Sequence, residues 1–248
     1  MSLKSSLQNR VRKSGRCLLP ALFLLLCVAT PIFAADKYLA PNHPDSIALL
    51  ASPPTLDAAE QTADLASARA VFKARTPEEE ARANKDAKLT IFNFAPAIGE
   101  FFQLEEFPKT EEFFTNLKPE IRPVIDNVKN HWKRKRPYEV DPALSLGKPE
   151  SSFGYPSGHS TIGTIHALLL AELFPEKRDA ILEIGRNIGW DRVLIGKHFP
   201  TDVYAGRVLG QAIVRELLAS AAFRKDFAEL KAEAQAAQSQ VTKTVLSP

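Results

Sequence analysis

A short stretch in the middle of the chain, residues 154–160 with the sequence GYPSGHS, combines residue types that can bind and transfer anions. An apolar run follows it, residues 161–174, whose spacing predicts a helix. Ser157, Gly158 and His159 therefore lie where a loop enters a helix, beside backbone N–H groups without intrahelical acceptors and the positive end of the helix dipole. Such a helix start attracts anions, phosphate above all. By itself, the stretch leaves open that Ser157 only caps the helix.

Two further stretches supply cations and a second histidine. Lys129 and Arg136 stand seven residues apart. This spacing predicts that both side chains leave one face of a helix, which the following proline ends. Downstream, the order R-x5-H-x3-D brings together Arg192, His198 and Asp202. The sequence thus holds three cations, two histidines and one carboxylate in three motifs.

In chain order the three motifs read K-x6-R-P, P-S-G-H and R-x5-H-x3-D, a pattern that resembles the type 2 phosphatidic-acid phosphatase superfamily. That superfamily also holds bacterial acid phosphatases, lipid phosphatases and vanadium haloperoxidases. Within it, the sequence is most similar to class A bacterial non-specific acid phosphatases, over roughly residues 84–238. The strongest matches are residues 155–159, 170–172, 196–198 and 202–207. The resemblance implies a secreted, helical, metal-independent enzyme of broad substrate range.

Hydrolysis of a phosphomonoester needs a nucleophile, an acid for the leaving oxygen and positive charge around the transferring phosphoryl group. Asp202 can hold one imidazole nitrogen of His198 and leave the other free to attack. His198 is therefore the predicted nucleophile, and Asp202 the carboxylate that orients it. His159, at the helix start, is the predicted general acid. The resemblance assigns the same roles to these three residues.

A further set of residues is predicted to bind the phosphoryl group on which the histidines act. Three fixed cations can neutralise the phosphoryl oxygens as Mg²⁺ does in other enzymes, so we expect neither a metal nor a cofactor. A serine hydroxyl and a glycine N–H can add neutral hydrogen bonds. The predicted phosphate-binding set is Lys129, Arg136, Ser157, Gly158 and Arg192.

Other polar residues near the motifs are interpreted as structural rather than as members of the predicted site. Asp191 stands where the family usually has serine, but adjacent helical residues point about 100° apart, so it is expected to face away from Arg192. The remaining histidines, His43, His131 and His166, are interpreted as solvated or packed side chains. No ligand spacing in the sequence indicates a metal site.

The elements that must position these residues are all helices. No alternating strand pattern extends beyond a few residues, so the predicted fold is all-α, a single-domain helical bundle. Lys133, Arg134 and Lys135 are interpreted as charges that favour the negative end of their helix. Thr76, with Pro77 and Glu79, predicts a capped helix start. The other predicted helices span about 55–74, 119–135, 161–174, 175–197, 202–219 and 226–238.

The first residues have the pattern of an export signal. Residues 1–35 contain a basic start, an apolar run and small residues at the end, which predicts a cleaved signal peptide and a periplasmic location. This segment holds five of the 32 basic residues and none of the 29 acidic residues, so the remainder has a formal charge of −2. That charge gives no reason to expect a nucleic-acid partner. Residues 36–54 are predicted to form an extended arm and residues 55–240 the helical phosphatase domain.

Several functions remain as alternatives to the hydrolysis of small phosphomonoesters. A vanadate-dependent haloperoxidase would bind vanadate with the same predicted phosphate-binding residues. A related phosphatase specialised for a lipid or nucleotide substrate is the other alternative. Lipid phosphatases of this superfamily span the membrane several times, whereas no segment after residue 35 reaches about 18 consecutive apolar residues, so no stable membrane anchor is expected. A phosphate-binding protein without activity would be expected to lack one of the two histidines. The resemblance also suggests a homo-oligomer, which no feature of the sequence itself supports.

Overall fold

The structure is a computed structural model that describes residues 38–41 and 43–246, with side chains described up to residue 241. These residues form α-helices and short 3-10 turns but no β-strand, which confirms the predicted all-α fold. The proposed signal peptide lies outside the described residues. Within the described part of the chain, no helix is long and apolar enough to cross a membrane. The helices are α1 (Ser46–Leu49), α2 (Ala59–Ala74), α3 (Pro77–Asp86), α4 (Ala95–Ile98), α5 (Pro108–Trp132), α6 (Pro137–Val140), α7 (Gly158–Leu173), α8 (Arg178–Leu194), α9 (Pro200–Ala219) and α10 (Ala221–Leu246).

Helix α7 lies at the centre of the bundle. It packs along its length against α8 and α9 and also contacts α5 and α10. Its buried residues face several sides, among them Ile165, Leu169 and Leu170, each with no exposed surface. A helix that is apolar on most sides is typical of a protein core. The helix predicted for residues 161–174 is therefore present, and it begins three residues earlier, at Gly158.

Close contact between α7 and α9 depends on a glycine. A Cβ atom at Gly206 would lie 2.6 Å from the carbonyl oxygen of Ser157 and 2.8 Å from the Cβ atom of Ser160. Because only glycine avoids these contacts, α9 can approach the first turn of α7 closely at this position. There the backbone N–H of Ser157 donates to the carbonyl oxygen of Asp202 at 2.9 Å. The starts of α7 and α9, which carry residues of the second and third motifs, are thus joined directly.

Helix α5 differs from its prediction at both ends. It begins at Pro108 rather than Pro119, and it ends at Trp132 because Lys133 adopts a left-handed conformation with φ of 48°. Arg136 lies beyond the helix in extended backbone, with φ of −83° and ψ of 161°, a conformation that a following proline favours. The prediction that Lys129 and Arg136 leave one face of the same helix is therefore wrong.

The ends of other helices also differ from the predicted bounds. Helix α8 ends at Leu194 instead of residue 197, and α9 begins at Pro200 instead of Asp202. Proline tolerates the first helical position because it has no N–H to leave unpaired. Helix α2 begins four residues later than predicted, and α10 extends beyond both ends of the predicted 226–238. The capped start at Thr76 is confirmed, since its side chain accepts from the backbone N–H of Glu79.

Part of the predicted N-terminal arm packs against the bundle. Residues Ser46–Leu49 form the short helix α1, which contacts α5. The backbone N–H groups of Tyr38 and Leu39 donate to the carboxylate of Glu120 at 2.8 and 3.0 Å. Leu39 and Leu50 belong to the hydrophobic core. The extended form predicted for the arm is thus interrupted by a helical turn, while the domain boundaries remain a prediction.

Candidate active site

His198 and Asp202 form a buried pair at the junction of α8 and α9. His198 follows the turn at Gly196, where φ is 70°, and Asp202 is the third residue of α9. The Nδ1 atom of His198 lies 3.3 Å from Oδ2 of Asp202, and its Nε2 atom lies 3.2 Å from Nη1 of Arg136. Because a carboxylate only accepts, Nδ1 carries the proton and Nε2 carries the lone pair. Burial, together with the charge of Arg136, lowers the pKa of His198 well below its ordinary value.

Asp202 is held by an arginine that joins three parts of the chain. Nη1 of Arg134 donates to Oδ1 of Asp202 at 2.5 Å, and Nη2 donates to Oδ2 of Asp64, on α2, at 2.8 Å. Asp64 also accepts from the hydroxyl of Thr201 at 2.5 Å. Burial raises the pKa of Asp202 to about 6, and Arg134 opposes that rise. Arg134 therefore stabilises the ionised carboxylate that orients His198.

The interpretation of Arg134 as a charge that favours the negative end of its helix is wrong. Its side chain is buried, and its guanidinium carbon lies 4.3 Å from the ring centre of Phe199. The helix ends before Arg134, so this side chain can turn inward while Lys133 and Lys135 stay exposed. Asp64 lies on the buried face of α2 with Gln61 and Ala68, so its carboxylate needs a buried partner, which Arg134 supplies.

The start of α7 forms a second part of the site. The hydroxyl of Ser157 accepts from the backbone N–H of Ser160 at 3.3 Å, so Ser157 is the N-cap of the helix. Gly158 and His159 are the first two residues of the helix, where backbone N–H groups have no intrahelical acceptor. The cap interpretation of Ser157 thus holds in the structure, and its predicted contact with phosphate remains a prediction.

His159 is fixed by the end of α3. Its Nε2 atom lies 3.2 Å from the carbonyl oxygen of Ala87, the residue that follows α3, so Nε2 donates a proton to that oxygen. Burial, and after it the charge of Arg192, lowers the pKa of His159 to about 4. The imidazole is therefore neutral near pH 7, and Nδ1 is the atom that would gain a proton. A dianion bound beside it would raise this pKa again.

The predicted phosphate-binding cations all donate to one loop. Nζ of Lys129 lies 2.5 Å from the carbonyl oxygen of Phe153, and Nε of Arg136 lies 2.7 Å from that of Ser152. Arg192 donates through Nη2 to the carboxylate of Glu150. Burial, followed by the charge of Arg136, lowers the pKa of Lys129 to about 8, so it remains mostly charged at neutral pH. No motif in the sequence singled out Glu150.

These groups surround a cavity of about 150 Å³. Three predicted residues do not line it but contact or adjoin residues that do: Ser157, Arg192 and Asp202, each at most 2% exposed. The structure therefore brings all eight predicted site residues into one region, although they come from α5, the loop after it, the start of α7, α8, the turn after α8, and α9. The residues that line the cavity are Arg122, Ile125, Asp126, Lys129, Arg136, Glu150, Ser151, Ser152, Gly158, His159, Ile162 and His198.

Asp191 faces away from Arg192, as expected. Its carboxylate has no exposed surface and accepts from Arg82 of α3, with Nη2 of the arginine 2.7 Å from Oδ1. Burial raises the pKa of Asp191, and Arg82 counteracts the rise. The negative charge beside the anion site is thus balanced by a cation from another helix.

The other histidines lie outside the cavity. His43 and His131 are exposed, whereas His166 is 2% exposed and packs edge-on against Phe114 with ring centres 5.0 Å apart. Burial lowers the pKa of His166 to about 3, so it is a neutral core residue. Among the described residues, no group of three or more histidine, cysteine or acidic side chains is arranged to hold a metal ion.

Comparisons with known proteins agree with the motifs. The sequence model described as "PAP2 superfamily" matches residues 120–226. An acid phosphatase of Zymomonas mobilis is 32% identical over 196 residues, which cover 74% of this chain and 73% of that protein. A non-specific acid phosphatase of Providencia stuartii is 30% identical over 229 residues, 83% of this chain and 92% of that protein. A lipid A 1-phosphatase of Rhizobium etli is 41% identical over a shorter stretch of 56 residues, 23% of this chain and 24% of that protein.

Proposed function

Because the chain belongs to the PAP2 superfamily, in the branch of class A acid phosphatases, we propose that it hydrolyses phosphomonoesters of varied structure through a phosphohistidine. Family membership gives the class of reaction, the hydrolysis of phosphoric monoesters. The finer proposal, a metal-independent reaction with His198 as nucleophile and His159 as acid, is supported by the geometry of the cavity.

One observation carries the mechanism. His198 and His159 line the same cavity, and in His198 Nδ1 is engaged by Asp202 while Nε2 lies beside Nη1 of Arg136. An imidazole held in this way attacks through Nε2 and develops positive charge, which the buried carboxylate stabilises. A nucleophile and an acid that line one cavity are the two groups that displacement at phosphorus requires.

In the first step Nε2 of His198 attacks the phosphorus atom of the substrate. The new P–N bond forms as the bond from phosphorus to the alcohol oxygen breaks. The leaving oxygen takes a proton from His159, and a free alcohol departs. The electron pair of the broken bond stays with that oxygen, so the products are the alcohol, phosphohistidine and neutral His159.

In the second step water replaces the alcohol. His159 now accepts a proton from water, whose oxygen attacks phosphorus. The P–N bond breaks, its electron pair returns to Nε2 of His198, and inorganic phosphate leaves. His159 has regained its proton, so the cycle consumes one ester and one water and releases one alcohol and one phosphate.

The cations bind the phosphoryl oxygens in both steps. Lys129, Arg136 and Arg192 supply positive charge, and the N–H groups at the start of α7 supply further donors. Arg192 has two buried nitrogens, Nε and Nη1, without a hydrogen-bond partner among the described residues. Unpaired guanidinium N–H groups fit an anionic ligand. The cavity lining also contains two apolar side chains, Ile125 and Ile162, which can contact varied alcohol groups without specific hydrogen bonds.

We further propose that the enzyme acts in the periplasm. The export pattern of residues 1–35 supports this location. A homo-oligomeric state, which the family resemblance suggests, remains a prediction.

The test is hydrolysis of p-nitrophenyl phosphate by the protein from residue 36 onward, at mildly acidic pH with EDTA, and again with vanadate. We expect turnover that resists the chelator and is inhibited by vanadate, which mimics the five-coordinate phosphorus of the transition state. Loss of activity with EDTA would contradict the metal-independent mechanism. Faster turnover of a lipid phosphate in detergent would contradict the preference for small esters, and halide oxidation by peroxide with vanadate would contradict the proposed reaction class.

A further inference from the structure

The phosphate-binding cations already have an anionic partner within the chain. Glu150 lies in the loop between α6 and α7, lines the cavity, and accepts a hydrogen bond from Nη2 of Arg192. The arginine side chain is 2% exposed, whereas the glutamate side chain is 35% exposed. A buried cation is thus paired with a carboxylate that retains access to solvent.

We propose that Glu150 competes with the substrate's phosphoryl group for Arg192 and thereby determines which anions the site accepts. This inference rests on the proposed function, because it concerns the same cavity. Glu150 is a specificity-determining residue rather than a catalytic one. Substrate binding exchanges one charge-assisted hydrogen bond, from Arg192 to Glu150, for several from Arg192 to phosphoryl oxygens.

The exchange needs movement of only one side chain. The backbone N–H of Glu150 donates to the hydroxyl of Tyr138 at 3.0 Å. On either side of it, the carbonyl oxygen of Lys148 accepts from Lys197 at 2.7 Å and that of Ser152 accepts from Arg136 at 2.7 Å. The loop backbone is therefore anchored at three places. Rotation of the partly exposed Glu150 side chain into solvent releases Arg192 without moving the loop backbone or the other predicted phosphate-binding cations.

The unpaired nitrogens of Arg192 indicate which ligands can displace Glu150. The carboxylate bonds to Nη2 alone, and Nε and Nη1 remain without partners among the described residues. A phosphoryl group near neutral pH carries close to two negative charges and three acceptor oxygens. It can bind the unpaired nitrogens as well, whereas a singly charged anion gains little over Glu150. The pairing therefore favours dianionic phosphoryl groups.

A second carboxylate at the cavity provides a matched control. Asp126 also lines the cavity, but its carboxylate lies 3.8 Å from Arg122 on the same helix and makes no contact with Arg192. Replacing either acid by its amide removes one negative charge from the rim of the site. Only the change at Glu150 removes the competitor for Arg192.

The experiment measures binding of inorganic phosphate by calorimetry to the wild type, Glu150→Gln and Asp126→Asn at one pH and ionic strength. We expect Glu150→Gln to lower the Kd for phosphate on the order of tenfold. In the variant, Arg192 no longer has to break an ion pair with a carboxylate before it binds phosphate. Asp126→Asn should change the Kd much less. The KM for p-nitrophenyl phosphate should fall in parallel with the Kd in Glu150→Gln, with a smaller change in kcat.

The outcomes separate this inference from the function on which it rests. An unchanged or higher Kd in Glu150→Gln, or an equal gain in Asp126→Asn, would overturn the role of Glu150 alone. Hydrolysis of p-nitrophenyl phosphate by the wild type would in that case still support the proposed function. No phosphate binding by any of the three proteins would contradict both proposals.

Discussion

The two histidines of the cavity differ in what holds them. His198 is oriented by the carboxylate of Asp202, which stabilises positive charge on the ring. His159 is held by a neutral carbonyl, that of Ala87, and burial lowers its pKa to about 4. The first environment suits a nucleophile that becomes cationic when it is phosphorylated. The second suits an acid that is protonated when a dianion binds and releases its proton readily to a leaving oxygen.

This difference predicts how His159→Ala responds to the leaving group. Hydrolysis of an alkyl phosphate should fall by roughly 10²- to 10⁴-fold, the usual contribution of general acid catalysis. Hydrolysis of p-nitrophenyl phosphate should fall much less, because nitrophenolate departs without a proton. Steady-state kcat values for the two substrates test this, with His131→Ala, an exposed histidine on α5, as control. An equal loss for both substrates would show that His159 is not the acid.

At this scale the motifs in the sequence led to eight residues that the structure places around one cavity. Arg134 and Glu150 were missed because their roles depend on contacts between distant parts of the chain. Arg134 bonds to Asp202, 68 residues away, and Glu150 bonds to Arg192, 42 residues away. No local pattern marks either residue. Only the folded chain shows which charges meet.

Among the helices, α2 supports the carboxylate of Asp202 although it contains none of the motifs. Asp64 of α2 bonds to Arg134, which bonds to Asp202, and also accepts from the backbone N–H of Thr201 at 3.2 Å. A helix that contains none of the three motifs thereby fixes the start of α9. Since Asp64, Arg134 and Asp202 are buried, the loss of one partner leaves the others uncompensated.

We therefore predict that Asp64→Asn lowers kcat roughly 10- to 100-fold, in line with the loss of other outer partners that orient a functional side chain. KM should change much less, because α2 does not contact the cavity. Asp57→Asn is the control, since that exposed carboxylate precedes the same helix and bonds to Thr55. Circular dichroism at the assay temperature establishes that both variants are folded. A folded Asp64→Asn protein with the wild-type kcat would contradict the positioning role.

Helices were easier to predict than their ends. The apolar run of α7 and the capping signal of α3 are local, so both helices were predicted. The end of α5 depends on the left-handed conformation of Lys133, and neither lysine nor its neighbours favour that conformation. This conformation of Lys133 occurs together with the inward turn of Arg134 and Arg136, whose side chains then make buried contacts. The conformation is thus tied to tertiary contacts rather than to the local sequence.

At the scale of the whole molecule, the bundle buries neutral histidines that the unfolded chain would protonate at acidic pH. His166 is the clearest case, because it packs in the core and burial lowers its pKa to about 3. Near pH 7 it is neutral in both states and has no effect on the pH dependence. Below about pH 6.5, the ordinary histidine pKa, only the unfolded state gains the proton. The free energy of unfolding therefore falls as the pH falls from about 6.5 toward 3.

We predict that His166→Leu reduces this loss. Between pH 7 and pH 5, the decrease in the free energy of unfolding should be about 2 kcal/mol smaller in the variant than in the wild type. Urea unfolding at the two pH values measures it. His131→Leu serves as the control because His131 is exposed on α5. The same pH dependence in His166→Leu and the wild type would contradict the assignment of a neutral, buried His166.

The proposed mechanism requires that His198 carry the phosphoryl group during turnover. The most direct measurement is rapid quenching of the reaction with p-nitrophenyl phosphate at alkaline pH, which preserves phosphohistidine, followed by mass spectrometry of the peptides. We predict one phosphoryl group on the peptide that contains His198 in the wild type, and none in His198→Ala, whose turnover should fall by about 10³-fold or more. A phosphoryl group on another residue, or wild-type turnover by His198→Ala, would contradict the mechanism.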